Sequence, residues 1–118
     1  MKKLLIILFC FPMFGFAQQT IQDSIFVNGT YRSFIIYIPA IYNPLEPTPL
    51  VFNFHGLTGT SVIAMWHADF RLIADTANFL VVHPQGLLNS LGETHWNVGQ
   101  VGTSINDIDF ISSLLDSL

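Results

Sequence analysis

The sequence predicts an α/β fold: a β-hairpin, then alternating strands and helices, in a sheet that is cut short. Three observations carry this expectation. Asn28-Gly29 lies between two apolar runs, and both residues tolerate the positive φ that a tight hairpin turn requires. Two short apolar runs, Leu50–Phe54 and Phe79–Val82, flank a stretch with helical spacing. A last helical stripe runs to Leu118, and a sheet of this kind calls for more strands than these residues supply. Composition agrees, because 51% hydrophobic and 10% charged residues are too apolar and too weakly charged for a disordered chain. A length of 118 residues allows one small domain.

The elements are read in order. Met1-Lys2-Lys3 is a basic head, Leu4 to Ala17 carries no charge, and Gly15-Phe16-Ala17 ends the run with small residues at alternate positions. This pattern predicts a secretory signal peptide over residues 1–17, cleaved after Ala17, and a secreted or periplasmic protein. A membrane anchor is the alternative, but a span wants about 18 or more apolar residues. Cleavage leaves no stable membrane anchor and removes Cys10, the only cysteine, so the mature chain has no disulfide. It also removes two of the four cations, which leaves 2 − 8 = −6 as the formal charge. With no basic run, a nucleic-acid partner is not expected.

In residues 18–118, Gln18 to Asp23 reads as a polar leader, and Ser24–Val27 and Tyr31–Pro39 as paired strands. In the second strand Phe34, Ile36 and Ile38 face one way, and Ser33, Ile35 and Tyr37 the other. Both sides are largely apolar, so cover is expected on both. Pro44, Pro47 and Pro49 make Asn43–Pro49 an irregular, exposed connector. Leu50–Phe54 is a buried strand that meets a loop at His55-Gly56. A helix follows, clearest over Ala68–Asn78, with Phe70, Ile73, Ala74 and Ala77 on one face. Met65 and Trp66 read as core or cap packing. Gln85–Thr103 is a long irregular segment, a kind often tied to function. Asn106 is the expected N-cap of the last helix, with Asp107 and Asp109 in its first turn and Ile108, Ile111, Leu114, Leu115 and Leu118 as its stripe.

Phe54-His55-Gly56-Leu57 ends a strand and opens a loop before a helix, where one oxyanion donor of an α/β-hydrolase is built. Gly56 would let the backbone turn without a side chain in the way. The Leu57 N–H would then be the donor, with the Thr58 N–H as second choice. His55 is a structural member of the loop, in the manner of a core histidine bonded to nearby backbone. His55, His67, His83 and His95 recur at intervals of 12, 16 and 12, and none is a chelating spacing, so no metal site is expected.

Five segments together resemble the N-terminal half of secreted poly(3-hydroxybutyrate) depolymerase-like and feruloyl-esterase-like hydrolases. They are Arg32–Pro39; Pro49–Gly56; Ile73-Ala74-Asp75 with Val81–Gly86; His95-Trp96-Asn97; and Asn106–Ile111. The resemblance spans Ser24 to Leu118. It implies an α/β-hydrolase fold and an exported carboxylic-ester hydrolase with a Ser–His–Asp acyl-enzyme mechanism and no cofactor. Its substrate would be a polyester, a feruloyl-polysaccharide or a small ester.

The family's Gly-x-Ser-x-Gly nucleophile motif is missing here. The nearest match, Gly102-Thr103-Ser104-Ile105-Asn106, lacks the second glycine, so nucleophile, base and acid are all expected to be absent and the chain alone inactive. The resemblance further implies Gly56, Thr58 and Trp96 as substrate-binding. Trp96 would be a flat wall of the cleft, unless it serves loop packing alone. Asp107 stands where the family commonly carries two adjacent acids. It would brace the loops under the oxyanion site, or else be an ordinary carboxylate at a helix start. Two other readings stand beside the esterase: a non-catalytic secreted remnant or binding module, and a carbohydrate- or polymer-binding domain of unrelated fold.

Overall fold

The computed structural model describes residues 17–99 and 103–118. The expected signal peptide, apart from Ala17, lies outside them. The chain runs β1 (Gln19–Val27), β2 (Thr30–Ile38), β3 (Leu50–Phe52), α1 (Ser61–His67), α2 (Arg71–Ala77), β4 (Leu80–Pro84) and α3 (Asp107–Ser117). The four strands form one mixed sheet in the order β1-β2-β4-β3. β2 is antiparallel to both β1 and β4, and β3 and β4 are parallel.

The hairpin forms where the sequence marks it. Asn28 has φ 51° and Gly29 φ 82°, so Val27 pairs with Thr30 across a two-residue turn. Residues 19–23, expected as a loose leader, instead extend β1, and Gln19 pairs with Ile38. Their side chains are exposed. Backbone pairing along the full length of β2 therefore builds this part of the strand, and no apolar alternation announces it.

β2 is buried on both faces. Phe34 and Ile36 join Leu80, Val82, Phe110 and Leu114 beneath α3. Tyr37 and Val81 meet Ala74 of α2 on the opposite face. The Tyr37 hydroxyl donates to Asp75 Oδ1 at 2.7 Å, tying β2 to α2. Burial, reinforced by that bond, pushes the phenol up to about 12. β3 is only half-buried, because nothing among the described residues pairs with its outer edge.

Two helices replace the single helix expected between β3 and β4. Thr60 Oγ1 caps α1 by accepting from Ile63 N, and α1 ends at Ala68, whose backbone is not helical. Asn53 Nδ2 donates to the carbonyls of Ala64 and Ala68 and so satisfies the end of α1 from outside. Asp69 then accepts from the Arg71 backbone and guanidinium at the start of α2. That grip holds the Asp69 carboxyl down at about 2. With the helix broken, Ala74 is buried but Ile73 and Ala77 are exposed, contrary to the expected stripe. Met65 is buried as expected, whereas Trp66 is exposed and lies 4.7 Å from the Arg71 guanidinium.

α3 starts at its expected cap, with Asn106 Oδ1 accepting from Asp109 N. Its buried face is Asp107, Phe110 and Leu114, at spacings of three and four. Ile108 and Leu115, assigned to the inward stripe by periodicity, are exposed. The helix is turned by a polar residue: Asp107 points inward to Arg32 at 2.6 Å, and Phe110 and Leu114 follow it.

His83 lies in β4 at 1% exposure, and neither ring nitrogen has a partner among the described residues. Burial pushes its imidazole below the ordinary value, and the Arg71 charge adds to this against Asp69. The unfolded chain therefore takes up the proton first as the pH falls. The stabilising effect is complete above about 6.5, the unfolded value, and is lost below it toward the lowered folded value. We expect the free energy of urea unfolding to fall between pH 7.5 and 5, and His83→Leu to flatten that slope by up to about 1.4 kcal/mol per pH unit. Parallel pH profiles for wild type and His83→Leu would contradict this reading of His83.

Candidate functional site

The carboxyl ends of the parallel pair β3 and β4 lead into two loops that meet. In open α/β sheets this is where ligands bind. An open cavity of about 410 Å³ lies there, lined among others by Gly56, Leu57, Glu93, His95, Trp96 and Val98.

His55 is 4% exposed and anchors the first loop. Its Nε2 accepts from Gly86 N at 2.9 Å, and its Nδ1 lies 2.7 Å from Gly56 O. A backbone N–H can only donate, so Nε2 carries the lone pair and Nδ1 the proton. Gly56 O therefore accepts from His55 Nδ1 and also from Gly59 N at 3.0 Å. In a planar trans peptide the carbonyl and the following N–H point in opposite directions. Holding the Gly56 carbonyl toward His55 turns the Leu57 N–H to the other side, where no described residue accepts it.

Thr58 N–H is engaged by Thr94 O at 2.8 Å, which removes the second-choice oxyanion donor. Thr58 instead holds the turn. Its φ is 63°, a costly conformation for a β-branched residue, and its Oγ1 donates to Leu57 O. The steric role expected of Gly56 is not found either. Its φ is not positive, and a Cβ there would meet nothing within 4 Å. The close approach falls on Gly86, where a Cβ would lie 2.3 Å from His95 O. The two loops thus touch backbone to backbone.

The second loop is fixed by its own clips. Asn89 Oδ1 accepts from Leu91 N and Glu93 N, and Asn89 Nδ2 donates to Glu93 Oε2. Thr94 Oγ1 donates to Gly59 O at 2.5 Å, joining this loop to the first. Trp96 is half-buried, edges the cavity, and donates from Nε1 to His55 O at 2.9 Å. Its wall-like position and its packing role coexist, since it also packs against the core beneath α3.

Asp107 is the brace. Oδ1 accepts from Arg32 Nη2 at 2.6 Å and Oδ2 from Asn97 N at 2.6 Å, so one carboxylate joins β2, α3 and the Trp96 loop. The Arg32 guanidinium lies 4.1 Å from the centre of the Phe110 ring and also approaches Gln85 O. Residue-by-residue reading missed Arg32, Gln85, Gly86 and Thr94. The first three lie inside segments that carry the family resemblance, which was the available signal.

Ser104 is exposed and stands in the extended segment before α3, not on a strand-to-helix turn. Among the described residues no serine or threonine hydroxyl is hydrogen-bonded to a histidine. No three His, Cys, Asp or Glu side chains among them gather around a common centre. No helix among them is long and apolar enough to cross a membrane. What the site offers is a partly apolar, half-enclosed space lined by Leu57, whose N–H no described residue accepts.

We expect Arg32→Met, which leaves Asp107 buried without its counter-charge, to cost about 3–5 kcal/mol in urea unfolding. Arg32→Met combined with Asp107→Leu should cost less than the sum of the two single changes. A cost below about 1 kcal/mol for Arg32→Met would contradict the bracing role. Neither a scan against protein-family models nor a search of curated proteins returns a match to this chain.

Proposed function

We propose that this chain carries the oxyanion half of an exported carboxylic-ester hydrolase of the α/β-hydrolase fold. The full enzyme acts through a Ser–His–Asp acyl-enzyme, with nucleophile, base and acid not among these residues. The observation that carries this reading is the Leu57 N–H. It lies in the loop joining the third strand to the first helix, at a cavity of about 410 Å³, and no described residue accepts it. In this fold that loop supplies one of the two N–H donors that stabilise the tetrahedral intermediate.

The lining suits a neutral ester. Trp96, Leu57 and Val98 provide apolar area, Asn89 and Glu93 provide polar groups, and no lysine or arginine is in the lining. A polyester, a feruloyl-polysaccharide and a small ester all fit this description. The outer edge of β3, unpaired among the described residues, and the exposed Phe54, Leu115 and Leu118 support a sheet that continues beside β3. Residues 1–17 act as an export signal in this reading. The lack of any hydroxyl–histidine pair among the described residues is equally consistent with a second reading, a non-catalytic secreted binding module.

One set of assays separates the two. The 118-residue chain alone should not hydrolyse p-nitrophenyl esters. Turnover abolished by a serine-directed phosphonate would contradict that. Joined to downstream coding sequence bearing Gly-x-Ser-x-Gly, the protein should become active. In that form Leu57→Pro, which deletes the N–H, should lower kcat about 10²–10³-fold. Unchanged kcat in a folded Leu57→Pro variant would overturn the oxyanion role, and a stop codon directly after Leu118 would favour the binding module.

A further inference from the structure

Gln85 follows β4, and the orientation of its side-chain amide is fixed by a backbone donor. Ser61 N donates to Gln85 Oε1 at 2.9 Å, so Oε1 is the carbonyl end and Nε2 the donor end. Gln85 Nε2 lies 3.1 Å from His55 Nε2 and 3.1 Å from Gly86 O. The lone pair on His55 Nε2 therefore faces two N–H groups, from Gln85 and from Gly86 at 2.9 Å.

In the other tautomer, a proton on Nε2 would confront both donors. The lone pair on Nδ1 would then face the Gly56 carbonyl oxygen at 2.7 Å, which is repulsive. The Gly56 carbonyl would lose one of its two donors and the peptide Gly56–Leu57 its direction. The Gln85 side chain also accepts from the start of α1, so it joins the loop at His55, the end of β4 and that helix.

We propose that Gln85 is a positioning residue: together with the Gly86 N–H it holds the tautomer of His55, and through it the direction in which the Leu57 N–H points. The use of that N–H on an ester rests on the reading given under Proposed function. The control of the tautomer does not. Gln85 touches no substrate in this scheme and acts through His55.

The test is a long-range ¹H–¹⁵N correlation spectrum of the His55 ring in the full 118-residue chain, with the Leu57 amide resonance read in parallel. Wild type should show the proton on Nδ1. Gln85→Glu, which sets a carboxylate oxygen against His55 Nε2, should move the proton to Nε2 and shift the Leu57 amide. Gln85→Met adds no charge and removes one of the two donors, so it should draw the two ring-nitrogen signals toward each other.

A wild-type ring protonated on Nε2 would overturn the proposal, and so would a wild-type ring pattern in both folded variants. A Leu57 amide that stays fixed while the tautomer changes would overturn the link from tautomer to peptide. None of these outcomes depends on ester hydrolysis. A failure of the esterase reading would appear instead in the Leu57→Pro assay, with the ring spectra unchanged.

Discussion

The buried pair between Arg32 and Asp107 is the constraint on which the rest of the structure depends. Removing two charges from water costs several kcal/mol per ion, so such a pair persists only where its remaining donors and acceptors are also met. Here they are met in part, since Arg32 Nε has no partner among the described residues. Asp107 takes a second bond from Asn97 N, and Arg32 lies against Phe110 and near Gln85 O. What the pair supplies is direction. It brings the first turn of α3 to β2, and the rotation of the whole helix follows.

From that pair a continuous set of contacts reaches the cavity. Asp107 holds Asn97, and its neighbour Trp96 donates to the His55 carbonyl. The His55 ring is in turn held by Gly86, beside the point where no side chain would fit against His95 O. Each step joins residues distant in sequence, so the loop at Leu57 is shaped by β2, β4 and α3 as much as by its own residues. This places a strained Thr58 and the Leu57 N–H, which no described residue accepts, on a rigid support.

The sequence made some features legible because their causes are local. Asn28-Gly29 turns the hairpin through the φ values those two residues tolerate, and Asn106 caps α3 through a bond to a residue three positions on. The position of His55-Gly56 could be read from the apolar run before it. The face of α3 could not be read from apolar spacing, because a carboxylate chose it: Ile108 is outward and Phe110 inward on account of Asp107. The break between α1 and α2 depends on Asn53, whose partners lie 11 and 15 residues away. Gln85 and Arg32 are polar residues whose roles come from distant partners, which no local pattern announces. Gly86 had a signal, a glycine two residues past the end of β4, but its partner His95 could be found only in space.

The most direct measurement is hydrogen exchange at the two tryptophan indoles after the Arg32–Asp107 pair is broken by Arg32→Met. Trp66 is exposed and serves as the internal reference, while Trp96 Nε1 is bonded to His55 O. If the pair orders the site, the Trp96 indole N–H loses its protection in a variant that is still folded, and Trp66 is unchanged. Full protection of Trp96 in folded Arg32→Met would show that the site loops hold themselves, and would contradict the account.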